Sequence, residues 1–142
     1  MQTEQLVGRV RQAYEAFDRH DGGPLMAALS DDIEWWDPLP EDYPIGGTFR
    51  GKQAVAAYFA ELSAIADIRS FQIVDIIAQD NTVVALIHIE STMRRNGQVF
   101  AGDSAHVWTF DDEGLATRYR IYADTDGIAR AYRGPQAVAP QS

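Results

Sequence analysis

The sequence predicts an α+β domain, a cone-shaped barrel in which N-terminal helices pack on a strongly curved, mainly antiparallel sheet. Helical periodicity is confined to the first half of the chain, where one short apolar strand interrupts it. From Ser70 onward the pattern changes to β-branched and apolar runs separated by turn residues. Helices followed by consecutive strands is the order of an α+β domain. At 142 residues, 46% of them apolar, the chain can bury one core. The domain is expected to span residues 1–133, with 134–142, containing Pro, Gln and Ala, as a flexible tail.

The elements follow in order. Leu6, Val7, Val10, Ala13, Tyr14 and Phe17 share one side of a helix whose other side carries Glu4, Arg9, Arg11, Glu15 and Asp18. Asp21-Gly22-Gly23 stops that helix, and Pro24 opens a second, short one running through Leu29. Residues 33–37 read as a strand closed by Pro38 and Pro40, after which residues 38–44 form a loop. Residues 46–51 are a short extended piece, and Val55, Tyr58, Phe59, Leu62 and Ile65 mark the buried side of the next helix. Strands are expected at 71–77, 83–89, 99–110 and 115–123, in an antiparallel meander. Asn96-Gly97 has the composition of a tight hairpin turn with two left-handed positions. A last short helix runs from after Asp124 through Tyr132.

Composition narrows the function classes. Twelve basic residues against 21 acidic ones give a net charge of −9. With a pI near 4.6, this opposes binding to phosphate backbones, so nucleic acid is not an expected partner. The absence of cysteine excludes disulfides, thiolate chemistry and cysteine zinc sites. The start, Met1-Gln2-Thr3-Glu4, lacks the basic flank and apolar run of a secretory signal, and no stretch reaches the roughly 20 apolar residues that cross a bilayer. A cytoplasmic protein without a membrane partner is expected.

The most informative stretch is Trp36-Asp37-Pro38-Leu39-Pro40. Ile33, Trp35 and Asp37 share one parity of an extended segment and therefore one face, which sets a carboxylate beside an indole. Apolar neighbours disfavour the charged form and raise a carboxyl pKa toward the range useful for proton transfer at neutral pH. The competing reading is an Asp that ends a strand and starts a turn.

Several segments together resemble the nuclear transport factor 2-like, or SnoaL-like, domain: Ala13-Tyr14-Glu15-Ala16-Phe17 through His20-Asp21, the pair Asp31-Asp32, Asp37-Pro38, Gly51-Lys52-Gln53-Ala54-Val55 and Phe110-Asp111-Asp112-Glu113-Gly114. This is the cone-shaped fold shared with ketosteroid isomerase and limonene epoxide hydrolase. The resemblance covers about residues 3–132. It implies a general base at Asp37, which precedes a proline as the isomerase base does, and an oxyanion donor at Tyr14. The isomerase's second oxyanion donor, a protonated carboxylic acid, falls on His106, as in some polyketide cyclases. An imidazole can still donate a hydrogen bond to an enolate. The aspartate that cyclases and epoxide hydrolases carry on the last strand falls on Ile121. The remaining Arg and Asp of the hydrolase site fall near Glu90 and Thr92. The departure at Ile121 counts against both the cyclase and the hydrolase chemistry, and the second departure further against epoxide hydrolysis, unless Asp124 turns inward.

Trp35, Trp36, Tyr58, Phe59, Phe100, Trp108 and Tyr119, with Ile121, are the candidate lining for an apolar ligand such as a steroid-, polyketide- or terpenoid-like ketone. Residues 38–48 are a candidate flap over the mouth. The leading function is cofactor-free proton transfer next to a carbonyl, with Asp37 as base and Tyr14 and His106 holding the oxygen. The alternative is a domain that binds an apolar metabolite, or only dimerises, without catalysis. Tyr14 and His106 each suit plain core packing as well. His88 and Glu90 share a strand face, but two ligands do not make a metal site. His20 needs no function, and Arg118 and Arg120 read as surface or interface charges. The resemblance implies a homodimer through the outer sheet face.

Overall fold

The computed structural model describes residues 1–41 and 43–134; the expected tail at 135–142 lies outside the described residues. Helices α1 (Thr3–Asp18) and α2 (Gly23–Ala27) lead into strand β1 (Leu29–Asp37). Strand β2 (Gly47–Arg50) and helix α3 (Lys52–Ile65) precede β3 (Ala66–Gln79), β4 (Thr82–Met93), β5 (Val99–Phe110) and β6 (Ala116–Ala123), and α4 (Thr125–Arg133) follows. The six strands form one open sheet in the order β2-β1-β6-β5-β4-β3. The barrel is therefore not closed: β2 and β3 are free edges. Among the described residues no helix is long and apolar enough to cross a membrane.

The meander holds from β3 to β6, where all neighbours pair antiparallel. What periodicity does not show is that β1 lies parallel to β6, with Trp35 opposite Tyr119 and Trp36 opposite Arg120. This pairing also extends β1 back to Leu29, which is bonded to the β6 register at Ala116. The second helix accordingly stops at Ala27 rather than running through Leu29, because strand pairing outweighs local preference. Register breaks at Ile68/Ser70 and Ile73/Asp75 between β3 and β4, and at Thr109/Phe110 between β5 and β6, bend the long strands and curl the sheet.

Inward residues alternate along each strand. Phe100, Ser104, His106, Trp108 and Phe110 of β5 are buried, as are Val83, Ala85, Ile87, Ser91 and Met93 of β4. Helix α1 closes one side of the concave face with Leu6, Val10, Ala13 and Tyr14. Its C-terminal end is tied down by Asp18, which accepts the Phe71 N–H of β3 at 3.0 Å.

The β4–β5 turn differs from the two-residue hairpin expected of Asn96-Gly97. Only Gly97 has positive φ, at 72°. Gly97 N–H donates to the Met93 carbonyl and Met93 N–H to the Gln98 carbonyl, both at 2.8 Å. The Asn96 side-chain amide instead donates to the Ala131 and Tyr132 carbonyls at 2.9 and 3.2 Å, pinning the end of α4 against the sheet.

Candidate active site

Strand β1 delivers Asp37 to the concave face through its parity with Ile33 and Trp35, and all three are buried. Its Oδ1 accepts the Leu39 N–H at 2.9 Å and its Oδ2 accepts the Tyr58 hydroxyl of α3 at 2.8 Å. Burial raises the Asp37 pKa above the ordinary carboxylate value, and the Leu39 and Tyr58 donors only partly offset this. The Tyr58 phenol is raised too, first by burial and then by the Asp37 charge it faces.

Across the sheet lies a second polar group. Trp108 Nε1–H donates to the Tyr14 hydroxyl at 2.7 Å, and the Tyr14 and Tyr119 hydroxyls are 2.9 Å apart. His106 Nδ1 is 2.6 Å from the Tyr119 hydroxyl and 2.9 Å from that of Tyr14, and its Nε2 is 2.9 Å from Ser104 Oγ. Donor type and bond length set the direction. An indole can only donate, so Tyr14 accepts from Trp108 and must spend its own proton on Tyr119 or His106. At 2.6 Å the Tyr119–Nδ1 contact is shorter than an N–H···O bond and fits a hydroxyl donating to a ring nitrogen. Nδ1 therefore accepts the Tyr119 proton, and Nε2–H donates to Ser104. Burial pushes the His106 pKa down to about 3, so the ring is neutral, as this assignment requires. Burial also raises the phenols of Tyr14 and Tyr119, which keep their protons.

Between the two groups is a cavity of about 130 Å³ lined by Asp37, Tyr58, Tyr119, Ile121, His106 and Ser104 among mainly apolar neighbours. The β1–β6 register continued by one residue sets Asp37 level with Ile121, which pairs with His106. The backbones at Asp37 and His106 thus lie two strands apart, about 10 Å across the sheet. Trp35, Tyr58, Phe59, Phe100, Tyr119 and Ile121 line this cavity as the sequence suggested. Trp35 stacks on Tyr119 with ring centroids 3.7 Å apart. Leu39, Tyr43 and Ile45 of the candidate flap form one wall, and Ile128 and Tyr132 of α4 another. An outer cleft of about 420 Å³ between the end of α1 and α3 shares Phe17, Leu25 and Phe59 with the cavity and is rimmed by His20, Asp67 and Arg94.

Three residues expected at the cavity are placed elsewhere. Trp36 has the opposite parity and packs on the convex face beneath Arg120, whose guanidinium lies 4.4 Å from the ring centroid. Tyr14 and Trp108 are fully buried behind His106 and Tyr119 and are not among the lining residues. Asp124 does not turn inward: it caps α4, accepting the Gly127 N–H at 2.9 Å. Glu90 faces outward beside His88, which also bonds Asp103 at 2.8 Å. Two relationships escaped sequence reasoning, the pairing of Tyr58 with Asp37 and the place of Ser104. The first joins residues 21 positions apart on different elements. The second was signalled only by Ser104 sharing strand parity with His106.

Residues 10–119 match the SnoaL-like domain. The chain belongs to the SnoaL-like family. Solved structures agree with this SnoaL-like assignment. A nuclear transport factor 2-like protein of unknown function from Burkholderia pseudomallei is 27% identical with a TM-score of 0.81, over 91% of this chain and 98% of that one. A nuclear transport factor 2-like protein from Burkholderia thailandensis is 29% identical with a TM-score of 0.81, over 95% of this chain and all of that one. TerC, co-crystallised with polyporic acid, shares the SnoaL-like fold at 24% identity and a TM-score of 0.78, over 91% and 98%. No curated protein matches the sequence.

Proposed function

We propose that this SnoaL-like domain is an enzyme that moves a proton next to a carbonyl in a small apolar ketone. The observation that carries the reading is Asp37: a carboxylate held by two donors in an otherwise apolar wall, its pKa raised by burial. Asp37 takes the proton from the carbon beside the carbonyl, and the released electron pair passes to oxygen as an enolate. Returning the proton to a more distant carbon isomerises a double bond, whereas attack by the enolate carbon on a second carbonyl closes a ring. The oxygen lies toward the β5–β6 wall, where the Tyr14–Tyr119–His106 chain supplies the polarity. In this arrangement Tyr14 and His106 act through their hydrogen bonds rather than by touching the substrate. The steps use side chains alone.

Volume narrows the substrate. A dry apolar cavity of about 150 Å³ holds one benzene ring, so the inner cavity of about 130 Å³ is on the scale of a single small ring, and a larger substrate would extend into the outer cleft. Exchange of the α-hydrogens of cyclohexanone for deuterium, followed by NMR in heavy water, tests the reading. The protein should accelerate exchange, and Asp37→Asn should cut the rate at least about a hundredfold. Exchange that persists undiminished in Asp37→Asn would remove Asp37 as the base. Ketone binding without exchange in the unsubstituted protein favours the second reading, a domain that holds an apolar metabolite unchanged.

A further inference from the structure

With Nδ1 of His106 taken by Tyr119, Ser104 stands at the end of the hydrogen-bond chain in the β5–β6 wall. Its Oγ accepts from His106 Nε2–H, so the Ser104 hydroxyl proton is not committed to His106, and Ser104 is a buried residue that lines the cavity. Behind it runs an unbroken chain: Trp108 N–H to Tyr14, Tyr14 O–H to Tyr119, Tyr119 O–H to His106, and His106 Nε2–H to Ser104. Each hydrogen bond in such a chain polarises the next, which makes the terminal hydroxyl a stronger donor than an isolated serine. Every other hydroxyl of the chain is spent within it. Other lining residues also carry donors, Trp35 Nε1–H, which has no side-chain or backbone partner, and the Ser91, Tyr43 and Tyr132 hydroxyls, but none of them ends a chain of this kind.

We infer that Ser104 Oγ–H is the group that binds the ligand's oxygen, so that the cavity is a site for a ring-sized ketone, or its enolate, held by one polarised hydroxyl opposite Asp37. The geometry supports the match: Asp37 is level with the row shared by His106 and Ile121, and the Ser104 row, paired with Ala123, is the next inward-facing row of the same sheet. The chain ends on a donor while Asp37 offers only an acceptor, so the two ends of the cavity are chemically distinct and orient a ketone one way. As charge develops on oxygen, this donor strengthens without moving, as electrostatic stabilisation of an enolate requires. The catalytic meaning of this site rests on the proton-transfer reading above; the binding claim does not.

The infrared carbonyl stretch of bound cyclohexanone, isotopically labelled at its carbonyl carbon, reads the donor directly, because a hydrogen bond to a ketone lowers that frequency. In the unsubstituted protein it should fall well below its value in an apolar solvent. Ser104→Ala should return it toward that value, and Ser104→Thr, which keeps the hydroxyl and suits a strand, should restore the low frequency. The same low frequency in Ser104→Ala, or no binding by the unsubstituted protein at millimolar ketone, would overturn the assignment. Asp37→Asn separates the two claims: it should keep the low carbonyl frequency while losing α-exchange. If Asp37→Asn continues to exchange while Ser104→Ala raises the frequency, the base assignment fails and the Ser104 site stands.

Discussion

Burial holds the His106 imidazole neutral in the folded state, with a pKa of about 3, whereas an exposed histidine in the unfolded chain titrates near 6.5. Between these values the unfolded state binds the extra proton, so stability falls as pH falls. The contribution is complete above about pH 6.5 and is lost progressively down to about pH 3, amounting to on the order of 3 kcal/mol by pH 4. Denaturant titrations of the protein and of His106→Gln between pH 7 and pH 4 should show this difference in slope, the variant being the flatter. Equal slopes would mean that water or a mobile neighbour solvates the ring. At this scale strand parity singled out Asp37, and the family resemblance singled out His106. The sequence could not show that Tyr58 bonds Asp37, or that the Tyr14 proton is spent inside the wall, because hydrogen-bond direction depends on which neighbours are present.

Residues 38–46 connect β1 to β2 and contribute Leu39, Tyr43 and Ile45 to the cavity. The turn is drawn tight by Tyr43 N–H to the Pro40 carbonyl at 2.9 Å and Gly46 N–H to the Tyr43 carbonyl at 3.0 Å. A Cβ on Gly46 would lie 1.9 Å from the Pro40 carbonyl oxygen and 2.6 Å from that of Leu39. Because both are backbone atoms, the loop itself must move. Gly46→Ala should cost about 1–3 kcal/mol and weaken cyclohexanone binding by displacing Leu39 and Ile45. Gly8→Ala in α1, where nothing lies within 4 Å, should instead stabilise by about 1 kcal/mol. Thermal melts of the two variants, with ketone titration of the first, check the contrast; an unaffected Gly46→Ala would show that this wall is not rigid. Proline and glycine marked the loop in the sequence. Its role as a cavity wall follows from the turn that folds Leu39 and Ile45 back under β1.

For the whole molecule, the concave face is covered by helices, whereas the convex face of the sheet leaves apolar groups in solvent. Val74, at the register break between β3 and β4, is 63% exposed and Tyr122 is 48% exposed. With Leu86 and Ala105 they line a shallow groove across the convex face. We propose that a second copy of the chain covers this face. Sedimentation equilibrium should then give twice the 15.8 kDa of one chain, and Val74→Asp should shift the protein toward monomer without unfolding it, since that side chain takes no part in the core. A monomer at all accessible concentrations would exclude this assembly.

Local patterning determined the element types and the meander from β3 to β6, because a period of 3.6 or 2 is written into neighbouring residues. It also determined that Asp37 shares a face with Trp35. Tertiary structure alone decided that β1 lies parallel to β6, that Arg120 covers Trp36 on the convex face, and that Tyr14 and Trp108 stand behind the cavity wall. These outcomes depend on contacts between segments tens of residues apart, where side-chain volume and the pairing of most buried donors select one arrangement.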